Sequence, residues 1–302
     1  MKYGLIVHGG AWAIPDEAVD DHLVGMNRAI DLGFPMLKEG NIALDVVEAV
    51  VAYLEDDPTF DAGRGSFLNS IGEVEMDAII ASDDNQLGAV AAIQNVKNPV
   101  KVARQVLESK GPVLLVGKGA NLFATHIGIE ECLPEELLVG RELERYLQLK
   151  KNKLFVPKDA FRHPSRGTVG AVALDTQGQL AVAVSTGGTP KKQPGRVGDT
   201  PIFGAGAYVE KNVIGVAATG YGEDLIKTLI SKTTVEIFKA GYSPQRAAKL
   251  AVDRLNSING LGGVIALGKS GIGLAWNTPR MAYGFQTNTQ PRTVGIEKIK
   301  KI

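Results

Sequence analysis

The chain has 302 residues, with Lys plus Arg and Asp plus Glu balanced at 33 each, so bulk charge favours neither a nucleic acid nor an anionic membrane as partner. Hydrophobic residues at 44% and charged residues at 22% are proportions of a globular protein with a real core, in one large domain or two small ones. The single cysteine, Cys132, excludes an intrachain disulfide and fits a reducing compartment.

The N-terminal run MKYGLIVHGGAW is too short for a signal peptide, and no window approaches the roughly 18 apolar residues of a membrane span. A cytoplasmic protein is expected. Residues 3–9 read as a buried strand ending in a Gly-rich turn. Residues 17–39 and 42–55 have helical spacing, broken near Gly40-Asn41. A Pro/Asp/Gly-rich loop, DDPTFDAGRGSFLN, comes next. Residues 73–81 and 87–94 read as strands. Residues 98–109 read as a helix with Asn98 at the N-cap and Pro99 at its first position. A further strand and helix lie in VLLVG and GANLFATHIG. The basic stretch 141–167 reads as a helix fading into an exposed, mobile segment.

Beyond it, 168–175 and 179–186 form two alternating strands around a TQG turn. Residues 212–220 are a strand, 222–241 and 243–258 are helices, the second capped by Ser243, and three closing strands end the chain. Blocks of strands and helices on both sides of the basic break predict layered α/β structure, with sheet on sheet and helices outside. GVIALGKS (263–270) matches the phosphate-loop pattern. Its middle residues read as strand, and so does GIGLAWN after it, so a hairpin turn at Gly268–Gly271 is the better reading.

Glycine is over-represented, at 36 residues or about 12% against a usual 7%, and sits in pairs beside apolar strands and threonines. Four such clusters lie beyond the break: GTVG (167–170), STGG (185–188), GRVGDTP (195–201) and ATGYGED (218–224). Singly, each is an ordinary strand ending or loop. Together they supply the parts of a threonine hydrolase. A hydroxyl is a weak nucleophile without an adjacent base. An N-terminal threonine carries its own base, an α-amine with a pKa near 7.7–8.0. For Thr168 to have that amine, the Gly167–Thr168 bond must be cut, which makes this junction a candidate self-cleavage site.

These motifs resemble the plant-type asparaginase, or isoaspartyl peptidase, family of N-terminal nucleophile hydrolases. The resemblance runs from HGGAW (8–12) through DPTFDAGRGSFLNSIGEVEMDA (57–78) to GLGGVIAL (260–267). It implies an α+β fold of four-layer αββα type. It implies one domain over 1–302, cut into an α subunit of residues 1–167 and a β subunit of residues 168–302, paired as (αβ)2. Thr168 resembles the nucleophile, and Thr186 the hydroxyl that supports it. Arg196 resembles the anchor of a substrate α-carboxylate, and Asp199 the partner of its α-ammonium. Thr219 and Gly220 look like the oxyanion hole. Gly222 matches a carbonyl that helps hold the substrate amine, and Gly188 a glycine beside the processing site. The carbonyls of Leu54, Glu55, Asp57, Phe60, Ala62 and Arg64 match a sodium loop; no catalytic cofactor is expected.

The implied activity is release of L-aspartate from β-aspartyl dipeptides and of ammonia from L-asparagine. Two departures stand out. Asp61 replaces the usual Asn of FNAG, near the nucleophile, and ASDDN comes after MDA where the family often has a Met-Asp-Gly turn. Alternatives are a non-processing amino-acid-binding or scaffold relative, to which Asp61 lends weight, and a glycosylasparaginase-like amidase, against which Gly187 and Glu223 count. Asp199 counts against a taspase-like endopeptidase. His8 reads as a structural hydrogen-bonder, Trp12 and Trp276 as packing, and His22, His126 and His163 have no metal-ligand spacing.

Overall fold

The computed structural model describes residues 1–152, 155–161 and 167–297. Strand β1 (Gly4–Trp12) leads into helices α1 (Val19–Lys38) and α2 (Ala43–Asp56). After the loop come β2 (Met76–Ser82), β3 (Leu87–Ile93), α3 (Pro99–Glu108), β4 (Leu114–Val116), α4 (Gly117–His126), the single turn α5 (Pro134–Leu137) and α6 (Gly140–Lys151). A 3-10 turn at Pro157–Phe161 precedes β5 (Val169–Leu174) and β6 (Leu180–Thr186). The remainder is β7 (Ala207–Glu210), β8 (Ile214–Gly220), α7 (Gly222–Thr228), α8 (Ile230–Lys239), α9 (Pro244–Ser257), β9 (Gly262–Gly268), β10 (Gly271–Trp276), β11 (Arg280–Thr287) and β12 (Thr293–Gly295).

The fold is mixed α/β with two sheets. The larger runs β12-β11-β1-β5-β6-β2-β3-β4, and the smaller β10-β9-β8-β7. Side chains alternate across each strand, which sorts the apolar residues by face. Ile6, Val172 and Val182 of the larger sheet join Ala217, Ile265 and Leu267 of the smaller in one buried cluster. Their neighbours Leu5, Val7, Ala171 and Ala173 point the other way and pack with Met26 and Ile30 of α1 and Val50 of α2. On the far side of the smaller sheet, Val216 and Val264 pack with Ile230 and Val235 of α8 and Ala248 of α9.

Local structure departs from the sequence expectations where tertiary bonds compete. Asn98 occupies the N-cap of α3, yet its amide donates to Ala52 O (3.2 Å) and Asp56 Oδ1 (3.0 Å). Glu55 of α2 takes over the capping, accepting the Val100 N–H at 3.0 Å. Helix 222–241 is two helices, because Leu229 is left-handed (φ 44°, ψ 51°). The start of α8 is tied to the loop before β7 by Ser231 Oγ to Ala205 O (2.7 Å) and Lys232 N to Gly204 O (2.9 Å), which holds the break open. Of the closing strands, β11 leaves β9 and β10 and pairs with β1 in the larger sheet. Ser243 caps α9 as expected, accepting the Arg246 N–H. Gly268 and Gly271 bound the hairpin between β9 and β10, so the phosphate-loop match is a strand turn.

Within the basic stretch, residues 153–154 and 162–166, including His163, lie outside the described residues, so the expected mobile segment falls partly there. The described part is not all exposed: Phe161 is buried with its ring 5.9 Å from that of Tyr221, and Lys158 pairs with Asp224. Among the described residues no helix is long and apolar enough to cross a membrane, and no three His, Cys, Asp or Glu side chains converge as a metal site.

Candidate active site

The β5–β6 hairpin builds the centre of the site. Its register pairs Val169 with Ser185, so the residues just outside, Thr168 and Thr186, face each other. The Thr168 hydroxyl donates to Thr186 Oγ1 at 3.0 Å, and the Gly188 N–H donates to the same oxygen at 2.9 Å. Both threonines are buried. Thr186 Oγ1 lies 3.5 Å from Asp61 Oδ2, while Asp61 Oδ1 accepts the Phe67 N–H at 3.0 Å. The backbone of Asp61 is engaged as well: its N–H donates to Gly167 O (3.2 Å) and its carbonyl accepts from Gly187 N (3.0 Å).

Strand β1 supplies the opposite wall. His8 Nδ1 meets Thr168 O at 3.1 Å. Burial pushes the imidazole down to about 3, against the pull of that bond, so it is neutral at physiological pH and holds backbone, as its structural reading expects. The β1–β11 register slips between His8 and Ala11, which swings Gly10 against the junction. A Cβ on Gly10 would lie 2.5 Å from Gly167 Cα, so the HGG motif serves a close backbone approach at Gly167–Thr168. Trp12 is buried beside it, in packing.

The smaller sheet delivers Thr219 and Gly220 at the end of β8, paired with Gly263 and Gly262. The Ala11 N–H donates to Thr219 Oγ1 at 3.2 Å, leaving that hydroxyl proton free to donate. Tyr221 and Gly222 come next, and Gly222 opens α7 with the Gly198–Asp199 backbone against its Cα. Asp199 is buried. Burial pushes its carboxyl up to about 7, with nearby Arg196 pulling the other way. Its Oδ2 has no partner among the described residues. The Arg196 guanidinium forks onto Glu223, Nε to Oε1 at 2.8 Å and Nη2 to Oε2 at 2.7 Å. Burial works to raise Glu223, but this bidentate pair overcomes it and holds the carboxyl below its ordinary value. Thus Arg196, Asp199 and Glu223 form a charged group around Gly222, which follows Thr219 and Gly220 at the end of β8.

Three residues without an expected role join these parts. Asp77 faces Thr186 across the β2–β6 ladder, accepts the Ala92 N–H at 2.8 Å and reaches Gly198 N at 3.5 Å. An acid inside the apolar run MDAIIA was the available sequence signal. Lys192 is buried and donates to Glu75 O at 2.6 Å, and Glu75 accepts from Gly195 N at 3.0 Å. Burial lowers the Lys192 ammonium, opposed mainly by Asp77. The KKQPG context of Lys192 reads as part of a long irregular loop and carries no signal.

The carbonyl loop, 54–64, is the one that carries Asp61. Pro58 stands four residues after Leu54 and has no N–H, so the carbonyl of Leu54 loses its helical partner. Glu55 O accepts Arg64 N (2.8 Å) and Asp57 O accepts Phe60 N (3.3 Å). Among the described residues no hydrogen bond falls on the carbonyls of Leu54, Phe60, Ala62 or Arg64, and the first three residues are wholly buried. Unpaired buried carbonyls need another partner, and a hard cation suits them.

A sequence family described as asparaginase (Asparaginase_2) matches residues 1–296. The chain belongs to this family. Among its asparaginase-family relatives, a Xenopus laevis protein named isoaspartyl peptidase/L-asparaginase is 42% identical over 90% of this chain and 87% of its own length. A Homo sapiens protein of the same name is 41% identical over 92% of this chain and 91% of its own. A Pyrococcus abyssi protein named plant-type L-asparaginase is 40% identical over 93% and 95%.

Proposed function

We propose that this chain is a threonine hydrolase of β-aspartyl bonds, acting on isoaspartyl dipeptides and L-asparagine after cutting its own Gly167–Thr168 bond. The carrying observation is the Thr168 hydroxyl, at the start of a strand and beside a flanking glycine, donating to Thr186 at 3.0 Å. The printed names of the relatives support the substrate class.

Cleavage yields residues 1–167 and 168–302 and gives Thr168 a free amine. That amine takes the hydroxyl proton as Oγ1 attacks the β-carbonyl of the substrate. Charge on the carbonyl oxygen is met by the Thr219 hydroxyl and the Gly220 N–H. The leaving amine, or ammonia, departs with a proton, and water then hydrolyses the aspartyl ester on Thr168. Arg196 takes the α-carboxylate in the fork that here holds Glu223, and Asp199 with the Gly222 carbonyl takes the α-ammonium.

The carbonyls of Leu54, Glu55, Asp57, Phe60, Ala62 and Arg64 would hold a sodium ion. That ion would brace the loop that carries Asp61 and Phe67; the three buried, unpaired carbonyls support the fit. The three apolar clusters support a four-layer αββα arrangement of the N-terminal nucleophile type. An (αβ)2 assembly and a cytoplasmic location complete the reading.

Intact-mass measurement on the purified protein, with Thr168→Ala beside it, tests this directly. The expected result is wild-type fragments 1–167 and 168–302 that release aspartate from L-asparagine and β-aspartyl dipeptides, and an inert, uncut Thr168→Ala chain. A wild-type chain that stays whole and inactive refutes it and leaves a non-processing binding protein.

A further inference from the structure

Resting on the self-cleavage reading, the walls around Gly167 show what receives the charge that the cut creates. In the uncut chain Gly167 is buried, and its carbonyl oxygen accepts the Asp61 N–H at 3.2 Å. When Thr168 Oγ1 adds to that carbonyl, the oxygen takes on a full negative charge, which sites of acyl transfer meet with paired donors. The ring of Trp12 forms the adjoining wall. A Cβ placed on Gly167 would lie 2.8 Å from Trp12 Cδ1 and 3.0 Å from Trp12 Nε1, and one placed on Gly10 would lie 3.0 Å from Cδ1. The indole thus turns its pyrrole edge, the edge that bears the N–H, towards the scissile residue. Trp12 is 1% exposed, and its Nε1 has no hydrogen-bond partner among the described residues. A buried indole N–H usually finds an acceptor. This one is kept idle beside the place where charge will develop.

Neighbouring donors are committed elsewhere. The His8 Nδ1–H donates to Thr168 O, which leaves Nε2 as an acceptor lying against Gly170. Lys192 donates to Glu75 O at 2.6 Å. The Thr219 hydroxyl accepts the Ala11 N–H at the end of β8. Ala11 belongs to the cluster between the sheets, whereas Trp12, the next residue, belongs to the cluster beneath α1 and α2. Adjacent residues of β1 therefore serve different places, Ala11 the smaller sheet and Trp12 the Gly167 side of the junction.

We propose that the Trp12 indole N–H is an oxyanion donor of self-cleavage, joining the Asp61 N–H on the Gly167 oxygen as Thr168 attacks. A lone pair of Thr168 Oγ1 bonds to the Gly167 carbonyl carbon, and the carbonyl π pair moves onto the oxygen. The hydroxyl proton passes to Thr186 Oγ1, its acceptor at 3.0 Å, which gives up one proton in exchange. The pair on the oxygen then re-forms the carbonyl as the Gly167 C–N bond breaks, and the proton released by Thr186 goes to the departing Thr168 nitrogen. An ester of Gly167 on Thr168 remains, and water hydrolyses it to the Gly167 carboxylate and a free N-terminal Thr168. Trp12 neither gains nor loses a proton, since an indole nitrogen is a donor only. A donor idle in the uncut chain and engaged in the transition state stabilises the second alone, so its whole hydrogen bond lowers the barrier. Turnover of substrate draws on Thr219 and Gly220, so the molecule carries two oxyanion sites, one built on the smaller sheet and one on β1.

The sequence has two tryptophans, so Trp276→Phe leaves Trp12 as the single one. The full Trp276→Phe chain is made by brief cell-free synthesis, once with tryptophan and once with benzothienylalanine, which keeps the shape of tryptophan and puts a sulfur where the N–H was. Loss of the uncut chain is tracked by mass spectrometry. Thr168→Ala versions of both chains are the uncut controls, and their thermal unfolding shows whether the two side chains pack alike. At matched unfolding temperatures, loss of the N–H is expected to slow the cut about 100-fold or more. Equal rates overturn the role of Trp12 while leaving self-cleavage standing. They do so even if Trp12→Phe is slow, because that slowness then belongs to packing. Should the sulfur-bearing chain fail to fold, Trp12→Phe is read in its place: a slowing of about 100-fold supports the donor, and a cut at the speed of the tryptophan chain overturns it. Absence of any cut in every chain, wild type included, overturns the self-cleavage reading itself.

Discussion

Replacing Gly10 by alanine separates two costs that the structure superimposes at the Gly167–Thr168 junction. Gly10 has φ +99°, a conformation costing a residue with a Cβ about 1–2 kcal/mol. The added Cβ would also lie 2.5 Å from Gly167 Cα and 2.9 Å from its carbonyl carbon. These are backbone atoms with no rotamer to yield, and overpacking of this kind costs about 1–3 kcal/mol more. Gly40 provides the control: its φ is +94°, and a Cβ there meets nothing within 4 Å. The first variant should lose about 2–5 kcal/mol and the second about 1–2. Unfolding entropy of about 2.1 cal/mol/K per residue over 302 residues makes each kcal/mol about 1.6 °C. Thermal unfolding in a Thr168→Ala background, where every chain stays uncut, should show Tm falling by about 3–8 °C for Gly10→Ala and 2–3 °C for Gly40→Ala. Equal shifts for the two would refute the close approach of Gly10 to the junction.

Thr186→Val removes the oxygen that accepts from Thr168 Oγ1 and Gly188 N, stranding a buried donor at about 1–3 kcal/mol. Aspartate release per cut chain should fall at least about 100-fold, and Thr186→Ser should retain most of it; comparable rates for the two would show that the hydroxyl does not act. His8 carries a pH signature of its own. Its folded value of about 3 lies below the ordinary 6.5, so between those limits the unfolded chain binds a proton that the native chain refuses, and stability is lost as pH falls below about 6.5. Burial pushes Glu55 up to about 8 and Asp199 up to about 7, and both act with the opposite sign, so the informative quantity is a difference between chains. Relative to His8→Gln, wild type should lose about 2 kcal/mol between pH 7 and 5 at about 1.4 kcal/mol per unit, read from urea midpoints. A constant difference over that range would mean that the imidazole is not held neutral.

Much of the architecture comes from residues acting on their near neighbours. Alternation in 168–175 and 179–186 around TQG dictates a hairpin, and the hairpin dictates its register, so Thr168 opposite Thr186 is already implicit in the chain. Ser243 and Pro244 start α9 for reasons that lie within four residues. The strand character of VIAL likewise disposes of the phosphate-loop match without reference to the rest of the molecule. The four Gly/Thr clusters and the family resemblance brought the site residues together by kind, before any distance was known.

The chain alone did not decide the approaches made across long loops and between sheets. Asp61 stands 125 residues from Thr186, and only the packing of the α2–β2 loop on the β5–β6 hairpin brings its carboxyl and its N–H to the two halves of the junction. Lys192 sits in a long irregular loop, and it is buried because the loop after β6 folds back over Glu75. Arg196 meets Glu223, rather than water, because β8 ends where that loop returns. Conformation and alternation are properties of a few adjacent residues, which the sequence displays directly. Burial, charge pairing and the displaced ionisation of Asp61, Asp199 and His8 arise from distant segments excluding water together, and tertiary structure alone decides which segments those are.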